Sequence, residues 1–504
     1  MTRYQTFYPP RTSDPRMKTR RFQMLIGGRS VDAESGETMS RESPAYDGLV
    51  TSQIPRGSFA DAEKAVLAAR QAFDEGPWPK MTGHERSRIM HGVADAFSEH
   101  AEELATIDAL DGGKALTGSR NEARIASSFW HFAAGHAEGL TGETHNSFGE
   151  EAIGLMLREP IGVVGVITPW NYPMVISSER VPWALGVGCT VVLKPSEFTS
   201  GSSIRMAELA RDAGLPDGVF NVVTGFGDPV GQTLAEHPAT DFVSFTGSRR
   251  VGGIVGGLAA ARIKKVGLEL GGKGPVIVFA DSDLDAAADS IASSVFHNSG
   301  QTCVAGSRLI VEEAAAEPLL ERLVSLAGRV PIGDPLDERV KVGAMIHQPH
   351  REKVERYVAS GVADGAELIV GGARLGGTGN YFEPTIFTNV KPESVIAREE
   401  IFGPVLSTFV FNDPSEAVRL ANDTEYGLSA HIWSSNLEKA VQTVRRVRAG
   451  RTAVNGTGGG GAEMGIGAFK GSGIGRELGK YGFDEYSEPK NVYITLHPKA
   501  EWLP

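Results

Sequence analysis

The chain has 504 residues, of which 41% are apolar, 22% charged and 8% aromatic, and these proportions argue against global disorder. Lys and Arg number 50 against 62 Asp and Glu, and the net charge of −12 disfavours nucleic acid or an anionic membrane as the main partner. No apolar run reaches the roughly 18 residues that a membrane-spanning helix needs.

The first residues of the chain, 1–20, are predicted to form a flexible tail. With Arg21 they carry six basic residues and one acid, Asp14, but they lack the apolar core of a secretion signal. Pro9, Pro10 and Pro15 argue against the regular amphipathic helix of a transit peptide.

After this tail, two segments have apolar residues at helical spacing, Phe59–Asp74 and Glu85–His100. From Ile161 onward, short runs rich in Val, Ile and Phe alternate with amphipathic segments. Such runs are typical of parallel strands buried on both faces, and the alternation predicts a doubly wound α/β sheet. The predicted strands are Gly162–Ile167, Thr190–Lys194, Val219–Val223, Asp241–Phe245 and Lys265–Leu270, and the predicted helices are Met174–Leu185, Ser202–Ala213, Val230–Glu236 and Val251–Ala261.

A second alternating series follows the glycine pair Gly271–Gly272, which suits a hinge or a close backbone approach. The chain is therefore predicted to form two α/β lobes. The remaining segments, Gly139–Arg158 and Asn491–His497, are predicted to pair as strands outside both lobes. In the second lobe the predicted strands include Pro275–Phe279, Ser307–Val311, Leu368–Val370 and Val405–Phe411, and the predicted helices include Leu284–Phe296, His350–Ala363 and Pro414–Asn422.

The two cysteines, Cys189 and Cys303, exclude a disulfide framework and a thiolate zinc site, and no metal site is expected. They indicate a reducing compartment, and we expect a cytoplasmic location. Cys189 lies in an apolar run and is predicted to be core. Cys303 lies in the loop GQTC between a helix and a strand, where it is either a buried structural thiol or an activated nucleophile.

Polar residues follow several predicted strands of the first lobe where those strands end. Glu269 is a candidate general base, and Asn171 offers amide donors for an oxyanion. Lys194 and Glu197 could hold a ribose by its hydroxyls. Each residue could also be an ordinary turn or loop residue, but together they predict one crevice at the carboxyl edge of the sheet.

Two glycine-containing segments bear on phosphate binding. The run Phe245–Ser248 ends a strand and starts a helix, whose N-terminal amides could hold a pyrophosphate. The run Gly225–Gly231 is one residue too long for the dinucleotide fingerprint and is weak by itself. A nucleotide site is the economical interpretation of the crevice.

With these residues in view, the sequence resembles the aldehyde dehydrogenase superfamily from about Leu25 to His497. The combination of motifs carries the resemblance. They are ITPWN at Ile167–Asn171, KPSE at Lys194–Glu197, FTGS at Phe245–Ser248, LELGGK at Leu268–Lys273, GQTC at Gly300–Cys303, EEIFGP at Glu399–Pro404 and GSGIGRELG at Gly471–Gly479.

The resemblance implies NAD(P)-dependent oxidation of an aldehyde to a carboxylic acid. Cys303 would be the nucleophile, Glu269 the base for the hydrolytic water, and Asn171 an oxyanion donor. NAD is the expected cofactor, with NADP less favoured because Glu197 would repel a 2′-phosphate. The residues implied around the cofactor are Ile167, Thr168, Trp170, Lys194, Glu197, Gly227, Gly231, Phe245, Gly247, Ser248, Val251, Leu270, Glu400 and Phe402.

The resemblance also implies a domain arrangement. A cofactor-binding domain would comprise residues 21–138 and 159–270, and a catalytic domain residues 271–484. Residues 139–158 and 485–504 would form a small β element for assembly, so a homodimer or homotetramer is expected.

Departures from the family pattern concern the substrate pocket, for which Glu179, His297, Gly460 and Ile466 are the candidate residues. Glu179 and His297 replace residues that are often apolar or aromatic, and glycines fill Gly456–Gly461 where relatives carry bulky side chains. Glu179 and His297 could equally be satisfied polar residues. We expect a bulky or polar aldehyde, with a cationic one suggested by Glu179.

Two other functions remain open at this point. An acylating relative would pass the thioester to coenzyme A, but such relatives tend to lack a Glu at the position of Glu269. A non-catalytic protein of the same fold would not need Cys303, Glu269 and Asn171 together.

Overall fold

The computed structural model describes residues 6–11, 13–458 and 460–498. Eight strands form the first sheet, and its five central strands are parallel. These five are rich in β-branched residues and buried on both faces, as the sequence predicts. In spatial order the strands are Gly473–Ile474, Lys265–Glu269, Phe242–Thr246, Val163–Ile167, Thr190–Lys194, Phe220–Val222, Met24–Ile26 and Arg29–Val31.

Helices cover both faces of the first sheet, and two of them begin with a capping box. Ser58 and Asp61 exchange side-chain and backbone hydrogen bonds at one start, and Thr82 and Glu85 do so at another. The helices of this lobe are Phe59–Asp74, Gly83–Glu99, Ala101–Gly112, Leu116–Ala137, Pro173–Ser178, Val181–Val187, Ser200–Asp212, Gln232–Glu236 and Arg249–Ala261.

Seven strands form the second sheet, which is parallel except for one antiparallel edge strand, Glu367–Val370. The other strands, in spatial order, are Thr385–Thr388, Val405–Phe411, Arg308–Glu312, Pro275–Val278, Ser429–Trp433 and Arg451–Val454. The accompanying helices are Leu284–Phe296, Glu313–Ala327, Gln348–Ala363, Val395–Arg398, Pro414–Asn422 and Leu437–Arg446, whereas the helix Gly479–Glu485 packs on the first lobe.

A third sheet lies outside both lobes, where the sequence predicts pairing of the two leftover segments. Ala152–Pro160 pairs antiparallel with Ser487–Thr495 over nine residues, and Glu143–His145 pairs on its other side. Residues 499–504 lie outside the described part of the chain. A further three-stranded sheet comprises Arg20–Arg21, Thr38–Glu42 and Val50–Pro55, and Arg374–Leu375 pairs with Tyr381–Phe382.

The described residues of the N-terminal segment differ from the predicted flexible tail, because they are held against the second lobe. Phe7–Tyr8 pairs in parallel with Ile332–Gly333, and the Arg11 guanidinium contacts Asp337 at 2.9 Å. The backbone pairing and this ion pair offset the conformational entropy that the segment loses when it becomes ordered. Residues 1–5 and 12 of the predicted tail lie outside the described residues.

The predicted helix Met174–Leu185 is interrupted between Ser178 and Val181. Pro182 lacks the N–H that would bond to the Ser178 carbonyl, and so the turn before it cannot continue the helix. The Arg180 guanidinium donates instead to the Ile176 carbonyl at 2.8 Å. The break presents Glu179 and Arg180 to the space beside the sheet.

The α/β prediction with two doubly wound lobes is confirmed, and most predicted strands agree with the observed bounds within one or two residues. Within the described ranges, no helix combines the length and apolar character that a bilayer crossing requires. The same ranges contain no group of three or more His, Cys, Asp or Glu that could hold a metal ion.

Candidate active site

A first cavity of about 200 Å³ opens at the carboxyl edge of the first sheet. Asn171, Thr246 and Leu270 follow or end three adjacent strands of that sheet, as expected for a ligand crevice. The second lobe closes the cavity from the other side. Its lining residues are Pro169, Trp170, Asn171, Ile176, Thr246, Gly247, Ser248, Leu270, Gly271, Cys303, His350, Lys353, Glu400 and Phe402.

A second cavity, of about 260 Å³, lies behind the same strand ends. Cys303 lines both cavities, and so do Ile176, Thr246 and Leu270. The second cavity also contains Glu269, together with Glu179, His297 and Ile466 from the predicted pocket. The Cys303 thiol can therefore be reached from two separate binding spaces.

The environment of Cys303 does not by itself activate the thiol. Burial, together with the negative charges of Glu400, Glu179 and Glu269, raises its pKa to about 12, and Arg451 offsets only part of this shift. The thiol is therefore protonated near neutral pH. Activation needs added positive charge in the first cavity or a base close to the sulfur.

Asn171 is fixed on both sides next to the cysteine loop. Its Nδ2 donates to the Gln301 backbone carbonyl at 2.9 Å, and the backbone carbonyl of Asn171 accepts from Lys114 Nζ at 2.6 Å. The neighbouring Tyr172 hydroxyl bonds to Thr302 Oγ1 at 2.7 Å. The carboxamide has a second Nδ2–H, and this donor is held in place without reorganisation, as oxyanion stabilisation requires.

Glu269 ends its strand in a buried position with one oxygen, Oε1, lacking a hydrogen-bond partner among the described residues. Burial raises its pKa to about 8, although Arg180 opposes this shift. Arg180 also lies 3.5 Å from Glu477 and 2.9 Å from Glu179. Because a guanidinium stays protonated, Arg180 is a fixed positive charge among three carboxyl groups.

The predicted ribose pair lies just outside the first cavity. Lys194 Nζ is buried and 3.7 Å from the Glu197 carboxylate. Gly231 adjoins this pair, because a Cβ on it would lie 3.9 Å from Lys194 Cδ. Ile167 is beside the same glycine, at 3.7 Å from that Cβ position. Gly227 has open space around it.

A helix N-terminus faces the first cavity where the sequence predicts a pyrophosphate site. Ser248 caps the helix Arg249–Ala261 by accepting from the Val251 amide, and Gly247 comes before the cap. The Phe245 side chain is buried in the strand, and buried Thr168 Oγ1 lacks a hydrogen-bond partner among the described residues. The exposed amides leave room for an anion.

Glu400 and Phe402 enter the first cavity from the second lobe. Glu400 Oε1 accepts from the Gly272 amide at 3.0 Å, and Phe402 has a left-handed backbone with φ of 59°. The Phe402 carbonyl bonds to His350 Nε2 at 2.8 Å, and its ring meets Trp170 edge-on at 5.4 Å. These contacts hold a strained, aromatic-lined wall.

Of the four predicted pocket residues, the structure does not bring Gly460 to the second cavity. A Cβ on Gly460 would lie 2.5 Å from Met464 Sδ, whereas a Cβ on Gly456 or Gly458 would have nothing within 4 Å, and so Met464 fills only the space beside Gly460. Residue 459 of the same run lies outside the described chain. Glu179 lines the cavity and pairs with Arg180 at 2.9 Å, a guanidinium that Glu477 and Glu269 share.

Sequence reasoning missed several residues that these cavities contain. Tyr172 directly follows the motif ITPWN and Thr302 lies within GQTC, so both could have been found from these motifs. His350 and Lys353 lie on one face of a predicted helix without a distinguishing pattern. The residues not predicted are Asn121, Glu122, Tyr172, Thr302 and Arg451 in the second cavity, and His350 and Lys353 in the first.

Comparison with known proteins agrees with this geometry. The profile of the Aldehyde dehydrogenase family matches residues 30–492. Aldehyde dehydrogenase family 2 member C4 of Arabidopsis thaliana is 41% identical, over 95% of this chain and 96% of that protein. Betaine aldehyde dehydrogenase of Bacillus subtilis is 40% identical, over 95% and 98%.

The crystal structure of an NAD-dependent aldehyde dehydrogenase from Sinorhizobium meliloti superposes with a TM-score of 0.98. It shares 58% sequence identity with this chain, and the match covers 99% of both chains. The extent of these matches leaves no lobe unaccounted for, and the chain belongs to the aldehyde dehydrogenase family.

Proposed function

We propose that this chain oxidises an aldehyde to a carboxylic acid with NAD, using Cys303 as nucleophile, Asn171 as oxyanion donor and Glu269 as base. The single observation that carries this assignment is the position of Cys303 in a wall common to two cavities. One cavity can hold the cofactor while the other holds the aldehyde. The chain is thus an oxidoreductase that acts on the aldehyde group.

The residues of the first cavity fit a dinucleotide. Buried Thr246 Oγ1 has no hydrogen-bond partner within the described part of the chain, and it lines the cavity. The amides after Ser248 would bind the pyrophosphate, Lys194 and Glu197 the adenosine ribose, and Glu400 the nicotinamide ribose. When bound there, NAD supplies the hydride acceptor.

The first chemical step would be addition of Cys303 Sγ to the carbonyl carbon. The thiol proton passes to solvent water, the C–S bond forms, and the carbonyl electron pair moves to oxygen. Asn171 Nδ2–H donates to that oxygen, and such a donor is worth on the order of 10²–10³ in rate. Loss of hydride from the thiohemiacetal carbon leaves a thioester on Cys303.

Glu269 would serve the hydrolytic half of the reaction. Glu269 lines the second cavity and its Oε1 lacks a hydrogen-bond partner among the described residues, so that the carboxylate can accept a proton from a water molecule there. The resulting hydroxide adds to the thioester, and the C–S bond breaks to release the acid. This unpaired oxygen favours hydrolysis over transfer to coenzyme A.

A coupled absorbance assay tests the function. Purified protein with NAD and a panel of aliphatic, aromatic, semialdehyde and amino aldehydes should form NADH and an equal amount of carboxylic acid. Coenzyme A should neither accelerate the reaction nor appear in the product. A coenzyme A thioester as the main product would replace the hydrolytic assignment with the acylating one.

We also propose that the substrate is bulky or polar rather than a small apolar aldehyde, because carboxyl groups and His297 line the second cavity. The reason for expecting a cation at Glu179 is weakened, since Arg180 already pairs with it at 2.9 Å. Acetaldehyde should therefore be a poor substrate. A tenfold advantage of acetaldehyde in kcat/KM over larger aldehydes would contradict this proposal.

Assembly and location are parts of the same proposal. Residues 21–138 and 159–270 are assigned to cofactor binding, 271–484 to catalysis, and 139–158 with 485–504 to a homodimer or homotetramer contact. Apolar side chains exposed on the third sheet support the contact; they include Ile153, Leu157, Tyr493 and Ile494. Light scattering after size exclusion should give two or four chains.

A cytoplasmic location is supported by the reduced state that the reaction requires of Cys303, and both cysteines are free in the structure. Fractionation of cells expressing the protein should recover the activity with cytoplasmic markers.

A further inference from the structure

Asn298 is buried between the oxyanion donor and the cysteine loop, and the proposed reaction does not use it. Its Nδ2 donates to the backbone carbonyl of Asn171 at 3.2 Å and to the backbone carbonyl of Gln301 at 3.4 Å. Asn171 follows a strand end of the first lobe, whereas Gln301 lies two residues before Cys303 in the second. One carboxamide therefore bonds to the segments on both sides of the oxyanion site.

The carboxamide of Asn171 is held by a single hydrogen bond among the described residues. Its Nδ2 donates to the Gln301 backbone carbonyl at 2.9 Å, whereas its Oδ1 is buried without a partner there. The direction of the second Nδ2–H thus depends on where the Gln301 carbonyl lies. Asn298 donates to that same oxygen, which has two lone pairs and can accept both bonds. A shift of Asn298 would therefore change the direction of the oxyanion donor.

The backbone of Asn298 is in the left-handed region, with φ of 50°, and Ser299 follows with φ of 55°. Residues other than glycine rarely adopt this conformation, although asparagine tolerates it better than most. The turn is closed by the Gln301 amide and by Gln301 Nε2, which both donate to the Asn298 carbonyl. This unusual turn places the Asn298 carboxamide against the two carbonyl groups, and such local strain is typical of functional sites.

We propose that Asn298 is a positioning residue for the oxyanion donor. It fixes the Asn171 backbone and the Gln301 carbonyl relative to each other, and through them it directs the free Nδ2–H of Asn171. The inference rests on the proposed function, because it takes Asn171 as the oxyanion donor. Asn298 is not among the described residues that line either cavity, and so it acts without touching the substrate.

Two neighbouring side chains do not replace Asn298. Lys114 Nζ donates to the same Asn171 carbonyl at 2.6 Å, but it belongs to the first lobe, as Asn171 does. The Tyr172 hydroxyl bonds to the cysteine loop at 2.7 Å, but to neither of the two carbonyls. In the described part of the chain, Asn298 is the one side chain that donates to both.

Asn298→Gly removes the carboxamide while glycine adopts the left-handed turn without strain. With NAD and an aldehyde, kcat should fall about 10- to 100-fold, less than in Asn171→Ala, because the donor is misdirected rather than removed. KM and the dissociation constant for NAD should change little. Asn298→Asp keeps the size and tolerates the same turn, but it has at most one hydrogen to donate to two acceptors, and its kcat should fall as well. Wild-type kcat in either folded variant would overturn the inference.

A double-mutant cycle distinguishes positioning from a general loosening of the structure. If Asn298 acts through Asn171, Asn298→Gly should lower kcat less than about twofold once residue 171 is alanine, because the donor to be positioned is already missing. In the wild-type background the same substitution should cost about tenfold or more. A loss by the same factor in both backgrounds would overturn the inference.

Ser299→Gly is the matched control, because it lies in the same turn and has the same left-handed backbone. It removes a hydroxyl that donates to the Gly343 carbonyl at 2.8 Å, away from Asn171. It should lower thermal stability to a degree similar to Asn298→Gly, while kcat stays within about twofold of the wild type. An equal loss of kcat in both variants would mean that any weakening of the turn suffices, and it would overturn the positioning role.

The outcomes separate this inference from the function on which it rests. If Asn171→Ala retains wild-type kcat, the oxyanion assignment in the proposed function fails. If Asn171→Ala loses activity and Asn298→Gly does not, only the positioning role of Asn298 fails. Circular dichroism and NAD binding establish that each variant is folded before its kcat is compared.

Discussion

The two cavities that meet at Cys303 are built in different ways. The first gathers backbone turns and short polar side chains from the carboxyl ends of adjacent strands, among them Asn171, Thr246 and Ser248. The second is lined by residues of two helices, of loops and of strand ends, and it includes charged groups in close pairs, Glu179 with Arg180 and Glu122 with Lys114. The first cavity suits a single ligand, the cofactor. The side chains of the second cavity can differ according to the aldehyde that is bound.

The strongest way to test the comparison is to remove the atom that the cavities share. Cys303→Ser should lower aldehyde oxidation by about 10⁴-fold or more, because a hydroxyl is a far weaker nucleophile than a thiolate. NAD binding should change little, since Cys303 is one of many residues in the first cavity. Isothermal titration with NAD and NADH absorbance measure the two effects; wild-type turnover would end the covalent mechanism.

The next largest effect should come from Asn171→Ala. Loss of one preorganised oxyanion donor should lower kcat by roughly 10²–10³-fold with little change in the dissociation constant for NAD. Because Asn171 also bonds to the Gln301 carbonyl, thermal unfolding should be followed. Asn171→Asp, which keeps the size but places a negative charge beside the oxyanion, should be no more active than the alanine variant.

Glu269→Gln should affect the two half-reactions unequally. Acylation leaves a burst of NADH, and deacylation needs the base, so the burst should persist while the steady-state rate falls about 10²-fold or more. Stopped-flow absorbance separates the two phases. An equal loss in burst and steady state would place Glu269 before the hydride transfer, as the base for Cys303.

The pH dependence follows from the same carboxyl group. Burial raises the pKa of Glu269 to about 8, so below that pH the group is protonated and cannot accept a proton. The deacylation rate should therefore increase as the pH rises through about 8 and level off above it. In Glu269→Gln this step of the profile should disappear while the protein remains folded.

The smallest effect should appear at the outer end of the first cavity. Glu197 lies 3.7 Å from Lys194 and would repel the 2′-phosphate of NADP. Glu197→Ser should shift the ratio of kcat/KM for NAD over NADP toward NADP about tenfold, or 1.4 kcal/mol. A wild-type preference for NADP, or no shift in the variant, would contradict the ribose assignment.

The same comparison explains what the sequence could predict. Lys194, Ser248 and Glu269 each follow or end a run that reads as a buried parallel strand, and the carboxyl ends of such strands meet at one edge. Their proximity therefore follows from strand order. Cys303 and Glu400 lie in the second lobe, and no local sequence pattern predicts that they approach the strand ends of the first. They were predicted only from the family motifs.

Glu122 could not be predicted in this way. It is one polar residue in an amphipathic helix, where a carboxylate is normally exposed, and only the packing of that helix against Asn171 and Lys114 buries it. The helix break at Arg180 and the left-handed Phe402 likewise depend on tertiary contacts. The tail differs for a similar reason, since the partner of Phe7 lies in the second lobe.

The position of Cys303 in a wall common to both cavities has a consequence for covalent inhibitors. An electrophile that fills the second cavity can react with the sulfur without displacing anything from the first. Such a compound would not compete with the cofactor for space, whereas an electrophile entering through the first cavity would. A compound inside the second cavity would also meet the paired side chains Glu179 and Arg180 and the buried carboxyl group of Glu122.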